Sequence, residues 1–353
     1  MNCTSPMHMA VLKFEDAQTC LHFKMMHKDK DAWKYNLEHL RAYRLLCSNS
    51  RKINIEEALK GFTYEVIEIP CGNCINCRLD YSKDWANRCT FEAQQHEFNW
   101  FLTLSYDDEH IVKGEFGNGT LVSEHYTAFM KALRQKFERK FGFKGVKMFG
   151  CGEYGEISGR PHLHILLFNC PLPDLIDKFP DGKGGLSRHF DSRGVPYLFS
   201  QFVKDLWPYG FITIADCNWN TSSYVSQYVL KKQKGKEGKK FYKKLGIEPP
   251  FIRMSNGIGL GYYLENKEKL AGNPSLFVPR EHKKPIISSL PRYYKNKLVN
   301  DGLIDYEEML RLTKERCDKA RSLLLGKQKI NDKRRIKEAN QKAFASVLER
   351  SGV

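Results

Sequence analysis

Alternation of apolar and polar residues with a period of two marks strands in the middle of the chain. In NWFLTLSYDD, the side chains of Leu102, Leu104 and Tyr106 fall on one face, as in a strand that turns one face to a core. HLHILLF becomes apolar on both faces, which indicates an interior strand. Short strands are also predicted over Val146–Phe149 and in GFITIADC.

A period of 3.6 residues marks the helices between these strands. One helix is predicted from a cap at Ser123 to about Phe141, and FSQFVKDLW and SSYVSQYVLKK predict two more. The apolar face of the first helix consists of Tyr126, Phe129, Leu133 and Phe137. The order strand–helix–strand–strand–helix–strand–helix predicts an α+β fold whose helices cover one face of the sheet.

Composition and charge narrow the class of protein. The 353 residues are 41% hydrophobic, so the chain can bury a core, and wholesale disorder is excluded. A net charge of +16 favours a polyanionic partner, of which nucleic acid is the commonest. We find no apolar stretch that could span a bilayer and no signal-peptide pattern, so we expect no membrane partner.

The eleven cysteines are an odd number, which favours thiols or metal ligands in a reducing compartment over a disulfide framework. Cys71, Cys74 and Cys77 form a C-x2-C-x2-C cluster that could hold a structural zinc ion with a fourth ligand. The candidates for that ligand are Cys3, Cys47 and Cys89. An iron–sulfur cluster and three metal-free thiols are the alternatives.

The segment GRPHLHILLF carries two histidines inside an apolar strand. His162 and His164 share one face, and imidazoles at i and i+2 can bind one divalent ion. Glu153, in CGEYG, reaches the same face if the intervening turn makes the two strands antiparallel. Two imidazoles and a carboxylate suit Mg²⁺ or Mn²⁺ acting on a phosphate, although zinc fits the ligand types as well. Two surface histidines at a strand end are the alternative.

TSSYVSQYVLKK supplies candidate nucleophiles. Tyr224 and Tyr228 lie at i and i+4 on one helix face, which Lys231 and Lys232 continue. Nearby lysines and a metal-polarised phosphate favour attack by a phenolate on phosphorus, which leaves a phosphotyrosine and a 3′ hydroxyl. Core packing of the two rings is the alternative.

Basic side chains around these residues are candidate DNA contacts. Lys232 and Lys234 open a lysine-rich segment that lies where a DNA backbone would leave the tyrosines, and Arg160 lies beside the histidines. A solvated loop and a salt bridge within the turn are the alternatives. No GxxxxGK[ST] motif occurs, so strand separation would need another protein, such as a host helicase.

These motifs together resemble the HUH endonucleases that initiate rolling-circle replication, and most closely those of the microviruses, of the gokushovirus type. The resemblance rests on PCGNCINCR, WFLTLSYD, CGEYG, GRPHLH, YVSQYVLKK and MSNGIGLGYY, and it covers most of the chain. It implies an antiparallel, RRM-like sheet, with Glu153 as the third metal ligand and Cys3 as the fourth ligand of the cysteine cluster.

The same resemblance implies an activity. Such a protein nicks the viral strand at the origin, stays joined to its 5′ end and later closes the circle, while a DNA polymerase extends the 3′ end. Its partners are single-stranded and origin duplex DNA, in the cytoplasm of the bacterial host. The family often has a lysine three residues after a catalytic tyrosine; Lys231 follows Tyr228 in this way, whereas Gln227 follows Tyr224, which favours Tyr228 as the first nucleophile.

We predict three regions: a less regular, cysteine-rich region over 1–95, the endonuclease core over 96–275, and a basic helical region over 276–353. Two other functions remain open. One is a relaxase or transposase of the same superfamily, and the other is a non-catalytic, zinc-containing nucleic-acid-binding protein.

Overall fold

The computed structural model describes residues 7–13, 33–35, 42–47, 64–69, 72, 74–155, 158–180, 185–191, 194–231, 235–273, 275–280, 283–305, 308, 309, 311, 312 and 315. Contacts divide the chain into two compact units, residues 1–78 with 321–343 and residues 79–320 with 344–353. The three predicted regions remain a prediction. No helix within the described ranges is both long and apolar enough to cross a bilayer.

The first unit contains a four-stranded antiparallel sheet. Its strands are β1 (Met7–Lys13), β2 (Trp33–Tyr35), β3 (Ala42–Cys47) and β4 (Tyr64–Ile69). Their order across the sheet is β2-β3-β1-β4. The sequence pattern did not predict this sheet, because its strands are short and separated by long polar segments.

The second unit is built on a five-stranded antiparallel sheet, the central sheet. Its strands are β5 (Asn99–Tyr106), β6 (Lys147–Tyr154), β7 (Pro161–Phe168), β10 (Gly210–Asp216) and β11 (Phe251–Met254). The order is β10-β5-β7-β6-β11, with β7 in the middle, as its two apolar faces predict. Two small strands, β8 (Phe179–Pro180) and β9 (Leu186–Ser187), pair within the long connection before β10.

Helices cover both faces of the central sheet, so the prediction of helices on one face was wrong. The helices next to the sheet are α1 (Ile75–Ala93), α2 (Ser123–Phe141), α3 (Gln201–Lys204) and α4 (Trp219–Lys231). Leu163, Ile165 and Leu167 pack with α2 and α3 on one face. Leu166 and Phe168 pack with α1 and α4 on the other. The physical reason is that a strand with two apolar faces must bury both.

The predicted helix over 123–141 is confirmed, with its four apolar residues buried. Val122, not Ser123, is its N-cap, and no side chain caps the helix there. Gly142 ends the helix in the left-handed region with φ of 63°, donating its N–H to Glu138 O, as glycine readily does after a helix.

The glycines of CGEYG have a packing role. A Cβ on Gly150 would lie 2.6 Å from the Tyr126 hydroxyl on α2, and one on Gly152 would lie 2.6 Å from the Phe251 ring on β11. Both distances are far inside van der Waals contact, so only glycine lets these rings pack on β6.

The remaining elements follow the central sheet along the chain. They are α5 (Gly235–Leu245), α6 (Leu260–Gly272), β12 (Ser275–Arg280), β13 (Lys283–Ser289) and α7 (Arg292–Asn300). Strands β12 and β13 form an antiparallel pair. Phe91, Tyr263, Leu276 and Tyr294 belong to the separate hydrophobic cluster that buries one side of this region.

Candidate active site

Pairing of β6 with β7 brings the predicted metal ligands together. Glu153 lies directly opposite His162 in the antiparallel register, and Cys151 lies opposite His164. Side chains two residues apart share a face, so His164 joins the pair on that face. One oxygen or nitrogen from each of Glu153, His162 and His164 lies within 4.8 Å of the others, and no further such group of three ligands occurs in the described part of the chain.

The hydrogen bonds of His162 orient it towards Glu153. Its Nδ1 lies 3.0 Å from the carbonyl oxygen of Arg160, which can only accept, so Nδ1 carries a proton. Its Nε2 lies 2.7 Å from Glu153 Oε1. In the neutral ring the Nε2 lone pair would face a carboxylate oxygen, an arrangement that requires a proton or a cation between the two atoms.

His164 is held by two residues of β5. Its Nδ1 lies 3.0 Å from the Thr103 hydroxyl, and its ring stacks on Phe101 with centroids 5.4 Å apart. Its Nε2 lies 3.3 Å from Glu153 Oε1, the same oxygen that faces His162. Both imidazoles therefore direct Nε2 to one point, and the other nitrogen of each is fixed by a neighbour, as in protein metal sites.

Glu153 is buried, with 8% of its side chain exposed. Burial disfavours its charged form, but the hydrogen bonds from His162 and His164 outweigh this cost, so the pKa of the carboxyl lies below its usual range. Its buried Oε2 has no hydrogen-bond partner within the described ranges. An ionised carboxylate with an unpartnered buried oxygen beside two imidazoles fits a divalent cation.

Helix α4 places both predicted tyrosines against His164. The helix begins after reciprocal hydrogen bonds between Asn218 and Thr221, at 2.8 and 3.0 Å. The Tyr224 hydroxyl lies 3.5 Å from His164 Nε2. The ring of Tyr228 stacks on His164 at 5.4 Å and meets the ring of Tyr224 edge to face at 5.1 Å.

The two tyrosines differ in exposure. Tyr224 is half-buried, whereas Tyr228 is only 3% exposed. Burial, together with the charge of Glu153 and the neighbouring Tyr224, raises the pKa of Tyr228 far above its usual value. Without a cation in the site, Tyr228 is therefore a neutral phenol.

The structure shows less of the predicted basic residues. Lys231 ends α4, but its side chain lies outside the described part, as do Lys232 and Lys234. Arg160 donates from Nε to Tyr106 O at 3.0 Å and forms an ion pair with the exposed Asp108. Its predicted DNA contact and that of the lysines stay predictions.

The cysteine cluster is only partly described. Cys77 is buried in α1 and Cys74 directly precedes the helix, whereas Cys71 and Cys3 lie outside the described residues. The structural zinc site therefore stays a prediction.

Sequence reasoning missed Thr103 and Phe101 as partners of His164. Both were recognised as members of an alternating strand, but not as neighbours of the histidines. The signal that could have found them is strand pairing, since β5 meets β7 with Thr103 opposite His164 and Ser105 opposite His162.

A family model for the replication-associated protein ORF2 matches residues 99–233, which include the histidines and both tyrosines. The replication-associated protein ORF2 of Spiroplasma virus 4 is 36% identical over 234 residues, covering 66% of this chain and 68% of the relative. The replication-associated protein VP4 of Bdellovibrio phage phiMH2K is 34% identical over 188 residues, 52% of each chain.

The replication-associated protein ORF4 of Chlamydia phage 1 is 34% identical over 164 residues, 46% of this chain and 38% of the relative. No solved structure matches the chain, so assignment of the central sheet to the HUH type stays a prediction. The relatives are phage proteins with one shared description, as the resemblance to microviruses predicted. The chain therefore belongs to the family of the replication-associated protein ORF2.

Proposed function

We propose that this protein initiates rolling-circle replication of a single-stranded DNA phage by nicking the viral strand at the origin and later rejoining it. The observation that carries the proposal is the convergence of Glu153, His162 and His164 with two tyrosine rings of α4. The names of the phage relatives support a role in replication. They also favour this role over that of a relaxase or transposase.

In the proposed reaction, a tyrosine oxygen attacks the phosphorus of a phosphodiester. The new bond joins that oxygen to phosphorus, and the bond from phosphorus to the 3′ oxygen breaks. The 3′ oxygen leaves with a proton, which the tyrosine hydroxyl supplies in net balance, and the 5′ phosphate stays on the protein. Because the ester bond is exchanged for another, a later 3′ hydroxyl can reverse the step and close the circle.

Glu153, His162 and His164 would hold a divalent cation, Mg²⁺ or Mn²⁺. The bound cation would neutralise charge on the phosphate and favour ionisation of the attacking phenol. Thr103 keeps the His164 ring in place through Nδ1, and the Arg160 carbonyl does the same for His162. The predicted structural zinc site would lie apart from this chemistry.

Two observations support different first nucleophiles. The lysine three residues after Tyr228 favours Tyr228. The greater exposure of Tyr224, and the 3.5 Å between its hydroxyl and His164 Nε2, favour Tyr224. We assign the first attack to Tyr224, with Tyr228 as the acceptor of the second transfer after a cation has occupied the site.

The test uses the full chain and 3′-labelled single-stranded oligonucleotides tiled across the viral strand, with Mn²⁺, Mg²⁺ or EDTA. We expect label to become covalently attached to protein on one tile, only with metal, and the adduct to disappear in His164→Ala. Tyr224→Phe should reduce the adduct more than Tyr228→Phe, and the double variant should abolish it. Tyr81→Phe, at an exposed tyrosine of α1, is the matched control.

Three results would contradict parts of the proposal. An adduct that survives in the double tyrosine variant would exclude both as nucleophiles. A larger loss in Tyr228→Phe than in Tyr224→Phe would reverse the order of attack. DNA binding with no adduct on any tile would make the non-catalytic nucleic-acid-binding protein the better explanation.

Host proteins complete the proposed cycle. A host helicase would separate the strands, and a host DNA polymerase would extend the freed 3′ hydroxyl in the bacterial cytoplasm. Both are expectations from the chemistry, since a nick alone supplies only a primer end.

A further inference from the structure

Strand β10 carries an exposed aromatic ring beside the candidate metal site. Phe211 is 66% exposed, and no hydrophobic cluster or ring pair in the described part of the chain includes it. Its neighbours Ile212 and Ile214, which point to the other face, are buried. Exposure alone means little, because many apolar side chains remain on protein surfaces.

The position of Phe211 in the central sheet gives it meaning. Phe211 pairs with Ser105 on β5, Ser105 pairs with His162 on β7, and His162 pairs with Glu153 on β6. Residues directly opposite one another in neighbouring strands point to the same face. Four strands therefore place Glu153, His162, Ser105 and Phe211 in one row on one face.

The row also fixes a distance. Neighbouring strands lie roughly 4.8 Å apart, so two strand spacings place Phe211 roughly 10 Å from His162 along the sheet. Stacked nucleotides of one strand repeat every roughly 3.4 Å, so a strand with a phosphate at His162 would bring a base one to three nucleotides away to Phe211.

Two cations lie at the same end of the central sheet. Lys204 Nζ donates to Gly210 O at 2.7 Å, directly before Phe211, and Arg160 Nε donates to Tyr106 O at 3.0 Å. Gly210 and Tyr106 face each other across β10 and β5. An exposed ring with basic groups nearby is the combination that holds unpaired bases and their phosphates in single-stranded DNA sites.

We propose that Phe211 is a stacking platform for an unpaired base of the DNA strand whose phosphate is held at Glu153, His162 and His164. This proposal rests on the proposed function for the location of the phosphate, but stacking itself needs no chemistry. The half-buried Thr103 and Ser105 lie between the two subsites on the same face and present hydroxyls to the strand that crosses them. The ligand is a single-stranded nucleotide segment of no fixed base, because every base has a face that can stack.

The first test measures binding of a fluorescent twelve-residue thymidine oligonucleotide in EDTA, where no cleavage can occur. We expect Phe211→Ala to bind roughly 5- to 150-fold more weakly than the wild type, the range for loss of one stacked base. Phe211→Leu, which keeps an apolar side chain without a ring, should bind as weakly as alanine, and Phe211→Trp should retain the affinity. Phe277→Ala is the matched control, since Phe277 is a 59% exposed phenylalanine on β12.

Wild-type affinity in Phe211→Ala, or equal losses in Phe211→Ala and Phe277→Ala, would overturn the platform. Wild-type affinity in Phe211→Leu would overturn stacking as its cause. Unchanged melting temperatures of the variants would confirm that binding, and not folding, is measured.

The second test locates the base. Single abasic sites are moved along the oligonucleotide that forms the covalent adduct, and binding is measured with wild type and Phe211→Ala. At one position within three nucleotides of the nick, removing the base should weaken the wild type but not the variant. Equal sensitivity of both proteins at every position would contradict the proposal.

The two proposals fail in different ways. Weaker thymidine binding in Phe211→Ala without any adduct would leave the platform and remove the nickase. An adduct on one tile with full binding by Phe211→Ala would leave the nickase and remove the platform.

Discussion

Two buried glutamates, Glu92 on α1 and Glu153 on β6, show how differently one protein can treat the same side chain. Glu92 accepts hydrogen bonds at both oxygens, from Lys147 Nζ at 2.7 Å and from the Gly259 backbone N–H at 2.7 Å. Glu153 directs one oxygen to two imidazoles, and its other oxygen has no partner among the residues described. In both, burial opposes ionisation, yet hydrogen bonds hold the pKa below its usual range.

The partners decide what each carboxylate can do. Lys147 and Glu153 lie at the two ends of β6 and, six residues apart, on the same face. At one end the cation is a covalently attached ammonium, so the pair is complete and has a structural role. At the other end neutral ligands and a free oxygen remain, which is the arrangement that admits a cation from solution. The comparison teaches that an incomplete shell of partners marks function better than burial does.

The largest expected effect breaks the comparison by activity. Glu153→Gln should lower metal-dependent adduct formation by more than about 100-fold, because loss of a direct ligand exceeds the roughly 10- to 100-fold cost of losing a supporting group. Glu92→Gln should keep the wild-type rate per folded molecule. Single-turnover labelling of the DNA-protein adduct measures both. Equal losses in the two variants would mean that the carboxylates do not divide their roles in this way.

Stability should show the reverse order. Glu92→Gln should lower the free energy of unfolding by about 2–3 kcal/mol, since it leaves Lys147 unpaired; the cost stays below that of a fully buried pair because Lys147 is 34% exposed. Metal-free Glu153→Gln should lose less than about 1 kcal/mol, because an amide can still bond to a neutral imidazole. Urea unfolding in EDTA gives both values. A greater loss in Glu153→Gln would make Glu153 a structural residue.

The support of His164 can be tested alone. Thr103→Val removes the hydroxyl at Nδ1 with little change in shape, and should weaken Mn²⁺ binding by roughly 10- to 100-fold. Thr213→Val is the matched control, because Thr213 lies opposite Thr103 on β10 and contacts no proposed ligand in the described hydrogen bonds. Calorimetric titration with Mn²⁺ measures the affinities. Equal affinity in wild type and Thr103→Val would show that Phe101 and the strand alone orient the ring.

The smallest effect concerns acid. The pKa of Glu92 is lower in the folded than in the unfolded chain, so its stabilising contribution is complete above the unfolded value and is lost as pH falls through the folded one. Between about pH 5 and about pH 3, the wild type should lose more stability than Glu92→Gln. Urea unfolding at several pH values checks this. Parallel curves would mean that Glu92 does not titrate in that window.

The sequence predicted the ligand face because strand periodicity is local. His162 and His164 share a face in any extended segment, and Glu153 joins them once the turn makes a hairpin. The helix over 123–141 was predictable for the same reason, since its apolar stripe repeats within one element. Tyr224 and Tyr228 followed from helical spacing, though not the contrast in their burial.

What sequence reasoning missed depends on pairing between distant segments. Helices on both faces, the partner role of Thr103 and the row that ends at Phe211 all require the order β10-β5-β7-β6-β11. The apolar residues on both faces of β7 already implied two covered faces, but the helices that cover them are set by tertiary packing. Burial of Tyr228 follows from how α4 lies on the sheet, which no spacing within α4 reveals.

The hairpin between β6 and β7 also has an evolutionary consequence. Residues 155–160 join the strands, and the Gly155 N–H donates to Arg160 O at 2.9 Å where pairing ends. Insertions in such a turn can accumulate without disturbing the ligands, because strand pairing alone aligns Glu153 with His162. A single-residue deletion inside either strand would instead turn one ligand to the opposite face. Among descendants of this protein, the turn should therefore drift in length while the lengths of the two strands stay frozen.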